Sequence, residues 1–367
     1  MKKLKVIVSG GGTGGHIFPA ISIANELKER LPETDILFVG ALGKMEMERV
    51  PAAGYTIIGL PVMGFPRRPS LKMFEFFIKL FKSMRIARKV IIDFKPDVVI
   101  GVGGFASGPV LKAAVQSGVP AVLQEQNSYA GITNKLLSSK VKKICVAYPN
   151  MERYFPKEKI VLTGNPVRKS LLEEVVNKSE AYKYFKLDAA KCVILIIGGS
   201  LGARSINESV MANLELIRQS GVQIIWQTGG FYYSEMMKRL GTNSPGNLYP
   251  MEFISHMDLA YSVADIVISR AGAGTISELC LLAKPCILVP SPNVAEDHQT
   301  KNAVALVKNQ AAIMIRDTDS KGQLFQQAFE LITDEPKLKS LSENIKKLAR
   351  PNAAHDIVDV IMELVKI

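Results

Sequence analysis

Cysteine is scarce: a chain of 367 residues holds four, Cys145, Cys192, Cys280 and Cys286, and no C-x-x-C pair. No disulfide framework is indicated, and thiols set in apolar runs are expected to be reduced and buried. Long apolar runs are also lacking. The longest, residues 98–111, is 14 residues interrupted by four glycines and a proline, short of the roughly 20 a spanning helix needs. The first apolar run, residues 4–8, ends at once in glycines, so it is expected to be a strand rather than a secretion signal. There is no G-x-x-x-x-G-K-[ST] string, the nearest approach being Gly40-Ala-Leu-Gly-Lys-Met45, so phosphoryl transfer from ATP has no support. No segment is low in complexity, and interleaved aromatic and basic strands of the kind that bind nucleic acid are absent.

What is present is a globular composition, 47% apolar, with Lys and Arg exceeding Asp and Glu by 46 to 34 and a net charge of +12. The charge implies acidic partners, whether nucleic acid, anionic lipid or phosphorylated small molecules. The length suits two α/β domains of about 180 residues each.

The chain repeats strand, glycine turn and helix. Residues 4–8, 36–39, 97–100, 121–123 and 143–146 read as strands of a first sheet, and a helix is expected over 19–30. Residues 192–197, 224–227, 266–269 and 286–290 read as a second sheet, with a helix over 205–219. Uninterrupted apolar strands alternating with helices predict parallel sheets covered on both faces, an α/β class of two Rossmann-like domains. A boundary is expected at Gly164-Asn-Pro-Val-Arg168, giving domains 1–165 and 166–350, with a last helix over 351–367 crossing back to the first. Ligands of such sheets bind beyond the carboxyl ends of the strands, so a cleft between two facing domains is the expected place for chemistry.

Three glycine loops follow strands: Gly10-Gly-Gly-Thr-Gly-Gly15, Gly101-Val-Gly-Gly104 and Gly198-Gly-Ser-Leu-Gly202. Glycines admit a phosphate close to the backbone, and helix N-terminal amides receive it. The first loop formally satisfies G-x-G-x-x-G, but the second strand ends Phe38-Val-Gly-Ala41 with no carboxylate for a ribose, which argues against a nicotinamide dinucleotide. Near Gly272 and Gly274, Thr275, Ser277 and Glu278 stand at the head of a helix pattern and form an anion site. Thr275-x-x-Glu278 also fits a capping box.

Seven segments in order carry a resemblance: Gly-Gly-Thr-Gly-Gly-His16 with Phe18-Pro-Ala20; Gly-Gly-Phe-Ala-Ser-Gly-Pro109; Gln124-Glu-Gln-Asn127 with Ala130-Gly-Ile-Thr-Asn-Lys135; Gly164-Asn-Pro-Val-Arg168; Gly-Gly-Ser-Leu-Gly-Ala-Arg204; Ser269-Arg-Ala-Gly-Ala-Gly-Thr275 with Glu278; and Asp297-His-Gln299 with Asn302-Ala303. They span residues 10–303, and the chain resembles the UDP-N-acetylglucosamine transferases that act on undecaprenyl-pyrophosphoryl-N-acetylmuramoyl-pentapeptide to form lipid II for peptidoglycan. The resemblance implies a GT-B architecture, with the donor held mainly by the C-terminal domain. It implies Arg168 and Ser200 at the pyrophosphate, Ile254 beside the uracil, and Ala273, Gly274, Thr275, Ile276 and Ser277 under the phosphates. Glu278 would bind the ribose, Gln299 and Asn127 the sugar, and Thr13, Gly14 and Gly15 would close over the site. Phe105 stands where many relatives carry Tyr, and Asp297-His298 precedes Gln299 where some carry a second glutamine.

An inverting displacement needs a base and a stabilised leaving group. His16 and Glu125 are the candidate bases, and helix amides with Arg168 and Ser200 serve the pyrophosphate. No metal or other cofactor is expected. The lipid acceptor implies a peripheral enzyme on the cytoplasmic face of the bacterial inner membrane. Residues 62–89 are the expected contact, with Leu71, Phe74, Phe77, Ile78 and Phe81 at helical spacing beside Lys72, Lys79, Lys82, Arg85, Arg88 and Lys89. Such a segment suits an anionic lipid surface or an ordinary amphipathic helix on the sheet, and periodicity alone does not separate them. Other UDP-N-acetylglucosamine enzymes of the same fold, a 2-epimerase or a transferase to another acceptor, remain open. A non-catalytic basic binding protein would not need three glycine loops.

Overall fold

The computed structural model describes residues 3–64, 71–168, 171, 177–199 and 201–366. The chain divides into two compact units, Met1–Arg168 together with Arg350–Ile367, and Lys169–Ala349. The first holds a seven-stranded parallel sheet in the order β3-β2-β1-β4-β5-β6-β7. Its strands are β1 (Lys5–Ser9), β2 (Asp35–Ala41), β3 (Thr56–Leu60), β4 (Val98–Gly101), β5 (Ala121–Glu125), β6 (Lys143–Val146) and β7 (Ile160–Leu162). The second holds a six-stranded parallel sheet, β10-β9-β8-β11-β12-β13. These strands are β8 (Val193–Ile197), β9 (Gln223–Gln227), β10 (Leu248–Met251), β11 (Ile266–Ser269), β12 (Cys286–Leu288) and β13 (Ile313–Met314).

The interior strands carry continuous apolar runs because both faces of each sheet are covered. In the first unit Ile7, Val99, Leu123 and Ile144 face one core, while their neighbours Val6, Val98, Val122 and Cys145 face the other. Each such side chain contributes roughly 1.5–3 kcal/mol on burial. The second core forms partly on the C-terminal helix Ala353–Val365, whose Ile357, Val358 and Ile361 are fully buried with Ile17, Ile23 and Leu27 of the helix Gly14–Arg30. In the second unit Trp226 is fully enclosed, and its indole N–H donates to Asn207 Oδ1 at 3.0 Å.

Several expectations need correction. The first helix begins at Gly14, not Pro19, and carries Pro19 within it. The helix expected over 205–219 is two, Arg204–Ala212 and Leu214–Gln219, broken at Asn213, whose side-chain amide bonds back to Ser209 O. Cys192 is exposed, just ahead of β8, whereas Cys145, Cys280 and Cys286 are buried as expected. Burial pushes the thiols of Cys145 and Cys280 up to about 12, and Cys286 is raised for the same reason. A maleimide applied to the folded protein is expected to modify Cys192 alone, with the three buried thiols reacting only in denaturant. Equal labelling of all four, read by peptide mass spectrometry, would contradict this packing.

Candidate active site

In the first unit β1 and β4 are parallel neighbours while the connections after them diverge to opposite sides, which makes their carboxyl ends the switch point of the sheet. Two glycine loops meet there backbone to backbone. A Cβ on Gly104, where φ is +84°, would lie 2.1 Å from Gly11 O, so only glycine permits the approach. A Cβ on Gly103 would lie 2.6 Å from the ring of His16, so that ring sits directly over the second loop. His16 Nδ1 is 3.2 Å from Gly11 O and 3.2 Å from Thr13 Oγ1. A carbonyl can only accept, which puts the proton on Nδ1 and makes Nε2 the basic nitrogen of the neutral ring. Gly14 and Gly15 open the helix, and Thr13 precedes it without a side-chain cap bond. Arg168 lies with its guanidinium 5.7 Å from the centre of the Phe18 ring, within cation–π range.

One member of this loop cluster was not among the sequence candidates. Glu46, fully buried, accepts the Gly12 N–H at 3.0 Å on both oxygens and the Ala41 N–H at 2.8 Å. It ties the first glycine loop to the end of β2.

Glu125 lies at the end of β5 and was a candidate base. The structure argues against that role. Its Oε1 accepts from Asn127 N at 3.1 Å and Asn127 Nδ2 at 3.3 Å, and its Oε2 from Gly131 N at 3.0 Å and Asn134 Nδ2 at 2.8 Å. Four donors on a buried carboxylate leave no lone pair directed at an acceptor hydroxyl. Glu125 instead shapes the loop that presents Asn127. Beneath it Gln124, Gln126 and Asn165 form a buried amide network, with Gln124 Nε2 on Asn165 Oδ1 at 2.9 Å and Asn165 Nδ2 on Gln126 O at 3.0 Å.

The second unit repeats the interlock. A Cβ on Gly202 would lie 2.0 Å from Thr228 O, and one on Gly229 would lie 2.1 Å from Gly202 N, which fixes the loops after β8 and β9 against each other. The helix Ala273–Leu281 starts after β11, with Gly272 as its N-cap and no side-chain cap bond. Its first ladder bond is Ile276 N to Gly272 O at 2.9 Å, so the amides of Ala273, Gly274 and Thr275 lie ahead of it and carry the positive end of the helix dipole. This overturns the capping box: Thr275 lies inside the helix, and Glu278 is more than a turn in. Glu278 Oε2 accepts from the buried Tyr261 hydroxyl at 2.9 Å, and Ser277 Oγ donates back to Ala273 O at 2.9 Å. Ile276 is buried. Ile254 is likewise buried, and its N–H donates to Gln227 Oε1 at 2.9 Å, so its side chain is no platform for a base. Gln299 Oε1 accepts the Ser291 N–H at 2.8 Å, which fixes the amide with its NH2 as the opposite end. Ser200 lies outside the described residues.

Arg270, within the Ser269–Thr275 segment but not singled out, is a structural tie. Its guanidinium donates to Val289 O at 3.0 Å, Asp317 Oδ1 at 2.5 Å and Ser205 Oγ at 2.9 Å. The segments after β12 and β13 are thereby joined to the start of the helix Arg204–Ala212. Among the described residues no three His, Cys, Asp or Glu side chains gather as a metal site would require.

Two Rossmann-like units with glycine loops and an open helix N-terminus at the strand ends are the architecture of the GT-B fold. The models of the glycosyltransferase family 28 N-terminal and C-terminal domains match residues 6–146 and 193–357. The chain belongs to glycosyltransferase family 28. It is 56% identical to the UDP-N-acetylglucosamine–N-acetylmuramyl-(pentapeptide) pyrophosphoryl-undecaprenol N-acetylglucosamine transferase of Parabacteroides distasonis, over 100% of this chain and 99% of that one. The protein of the same name from Phocaeicola vulgatus is 58% identical over 99% of this chain and 97% of that one. The crystal structure of Acinetobacter baumannii MurG aligns with a TM-score of 0.76 at 29% identity, covering 98% of this chain and 99% of that one. A UDP-GlcNAc 2-epimerase from Neisseria meningitidis, at 16% identity and a TM-score of 0.68 over 99% of this chain and 100% of that one, shares the fold alone.

Arg270→Ala is expected to lower stability by about 3 kcal/mol, since the partly buried Asp317 would lose its cation and keep the Ser205 hydroxyl as donor. Arg270→Lys should restore only part, because one ammonium cannot reach both carbonyl and carboxylate. Urea unfolding measures it, and a loss under about 1 kcal/mol, as for an exposed pair, would contradict the tie.

Proposed function

We propose that this chain transfers N-acetylglucosamine from UDP-N-acetylglucosamine to undecaprenyl-pyrophosphoryl-N-acetylmuramoyl-pentapeptide, with inversion at the anomeric carbon. The observation that carries the reading is identity of 56–58% over the full chain to transferases of that name. Structures of 2-epimerases share only the fold at this distance, so a transferase is favoured over an epimerase.

The chemistry then divides between the units. His16 Nε2 takes the proton of the acceptor hydroxyl as that oxygen attacks C1 of the donor sugar. The bond from C1 to the UDP oxygen breaks, and charge develops on the pyrophosphate. The amides of Ala273, Gly274 and Thr275 receive that charge, with Arg168 and the Ser200 loop as further donors. The Glu278 carboxylate, steadied by Tyr261, accepts hydrogen bonds from the ribose hydroxyls. Gln299 and Asn127 hold the sugar, and the backbone of Thr13, Gly14 and Gly15 borders it. Ile254 contributes through its carbonyl, since its N–H is held by Gln227.

The acceptor's lipid calls for a membrane surface, and the helix Leu71–Phe94 suits one. Ser83, Ala87 and Val90 on one side are buried, while Phe74, Phe77, Ile78 and Phe81 on the opposite side are exposed. A purely internal amphipathic helix would not leave four large apolar side chains in water. Pro61, Phe77, Ile78 and Phe81, with Lys82 and Arg85, line a shallow groove of about 600 Å³. Residues 65–70, also expected at this surface, lie outside the described residues, and no described helix is long and apolar enough to cross a membrane. We assign the enzyme to the cytoplasmic face of the bacterial inner membrane, as a peripheral protein.

Incubation with radiolabelled UDP-N-acetylglucosamine and the lipid-linked muramoyl-pentapeptide should move label into the organic phase. His16→Ala should lower kcat by about 10²–10⁴, the usual share of a positioned base, with little change in UDP-sugar binding. Label that stays in water, or transfer equally well from UDP-glucose, would overturn the assignment, and a kcat within a few-fold would remove His16 as base. Separately, the wild type should sediment with vesicles rich in anionic lipid, and a variant with Phe74, Phe77 and Phe81 all changed to Ser should not. Equal sedimentation of the two proteins would rule out this face.

A further inference from the structure

The proposed mechanism leaves one buried charge unexplained. Glu46 is fully enclosed, and a carboxylate in that position costs several kcal/mol unless hydrogen bonds compensate it. Room for it exists because two glycines lack side chains: a Cβ on Gly11 would lie 1.9 Å from Glu46 Oε1, and one on Gly40 would lie 2.6 Å from Glu46 Cγ. The carboxylate holds Gly12 N–H at 3.0 Å with both oxygens. That N–H belongs to the same peptide unit as the Gly11 carbonyl, which lies 3.2 Å from His16 Nδ1. In a trans peptide N–H and C=O point in opposite directions. Fixing the N–H in the Glu46 carboxylate therefore aims the carbonyl at the imidazole. The anion also polarises the amide, which strengthens its oxygen as an acceptor. Gly104 backs the other side, its missing Cβ leaving just enough space for Gly11 O.

We propose that Glu46 is a positioning residue that acts on His16 through the Gly11–Gly12 peptide. The arrangement is carboxylate, peptide plane, imidazole: it orients the ring, holds the proton on Nδ1 and stabilises the imidazolium formed when Nε2 accepts the acceptor proton. The proposal rests on His16 as the base. A loop of glycines has no side chains with which to hold one peptide in one orientation, and Glu46 supplies that restraint from outside.

Glu46→Gln keeps the shape, removes the charge and sets an NH2 group among the Gly12 and Ala41 amides. It is expected to lower kcat by about 10- to 100-fold, as loss of an outer orienting group does, with KM for UDP-N-acetylglucosamine nearly unchanged. In a His16→Ala background the same substitution should have no further effect on kcat. The ¹⁵N spectrum of histidine-labelled protein should show the Nδ1–H form of His16 in the wild type and a mixture of tautomers in Glu46→Gln. An unchanged His16 spectrum, or an equal kcat loss with and without His16, would overturn the proposal. Should His16→Ala leave kcat intact, the base assignment fails while the spectrum still decides whether Glu46 governs the ring. If Glu46→Gln does not fold, Glu46→Asp, which keeps the charge but withdraws it by one methylene, is read by the same measurements.

Discussion

Backbone packed against backbone at the carboxyl ends of parallel strands is the constraint from which both halves of this enzyme follow. At the switch point of the first sheet Gly104 rests on Gly11 O, and at the corresponding edge of the second sheet Gly202 rests on Thr228 O. A single methyl group at either place would force two strand-end loops apart. The loops could then present neither the Nδ1-bonded imidazole of His16 nor a clear approach to the start of the Ala273–Leu281 helix. Because the strands are fixed by cores on both faces, the loops inherit rigidity that their own composition would deny them.

The interior strands were legible in the sequence for the same reason. Burial on both faces leaves an uninterrupted apolar run, as in β1, β4, β8 and β11. The four strands not recognised, β3, β7, β10 and β13, are the outermost of their sheets. Each is partly exposed along its length, and β10 includes Pro250, which an edge tolerates and an interior strand would not. β7 and β13 are also only three and two residues long, too short for a run to stand out.

The site was legible as segments rather than as contacts. Glycine loops and the anion-binding helix start could be read because backbone geometry dictates composition. Carboxylates could not be sorted that way, because the role of each depends on donors distant in sequence. Glu125 looked available and proves saturated by Asn127, Gly131 and Asn134. Glu278 fitted both a ribose ligand and half of a capping box; the box does not form, and the carboxylate accepts from Tyr261. Glu46 and Arg270 were not singled out, since the groups that engage them, Gly12 and Ala41 in one case and Ser205, Val289 and Asp317 in the other, become neighbours only on folding. A glycine at the end of β2, Gly40, was the available hint that something bulky had to fit beside it.

The helix Ala353–Val365 belongs to the first unit although it follows the whole second unit in the chain. Its Ile357, Val358 and Ile361 complete a core begun by Val6 and Val8, and Arg30 closes on Asp359 at 2.7 Å. During synthesis the first unit therefore waits, with one apolar face uncovered, while the whole second unit emerges and folds as an insertion. The order of assembly is inverted relative to the order of translation: the half made second can finish first. Until that helix emerges, the glycine loops of the first unit sit on a sheet that still lacks part of its support.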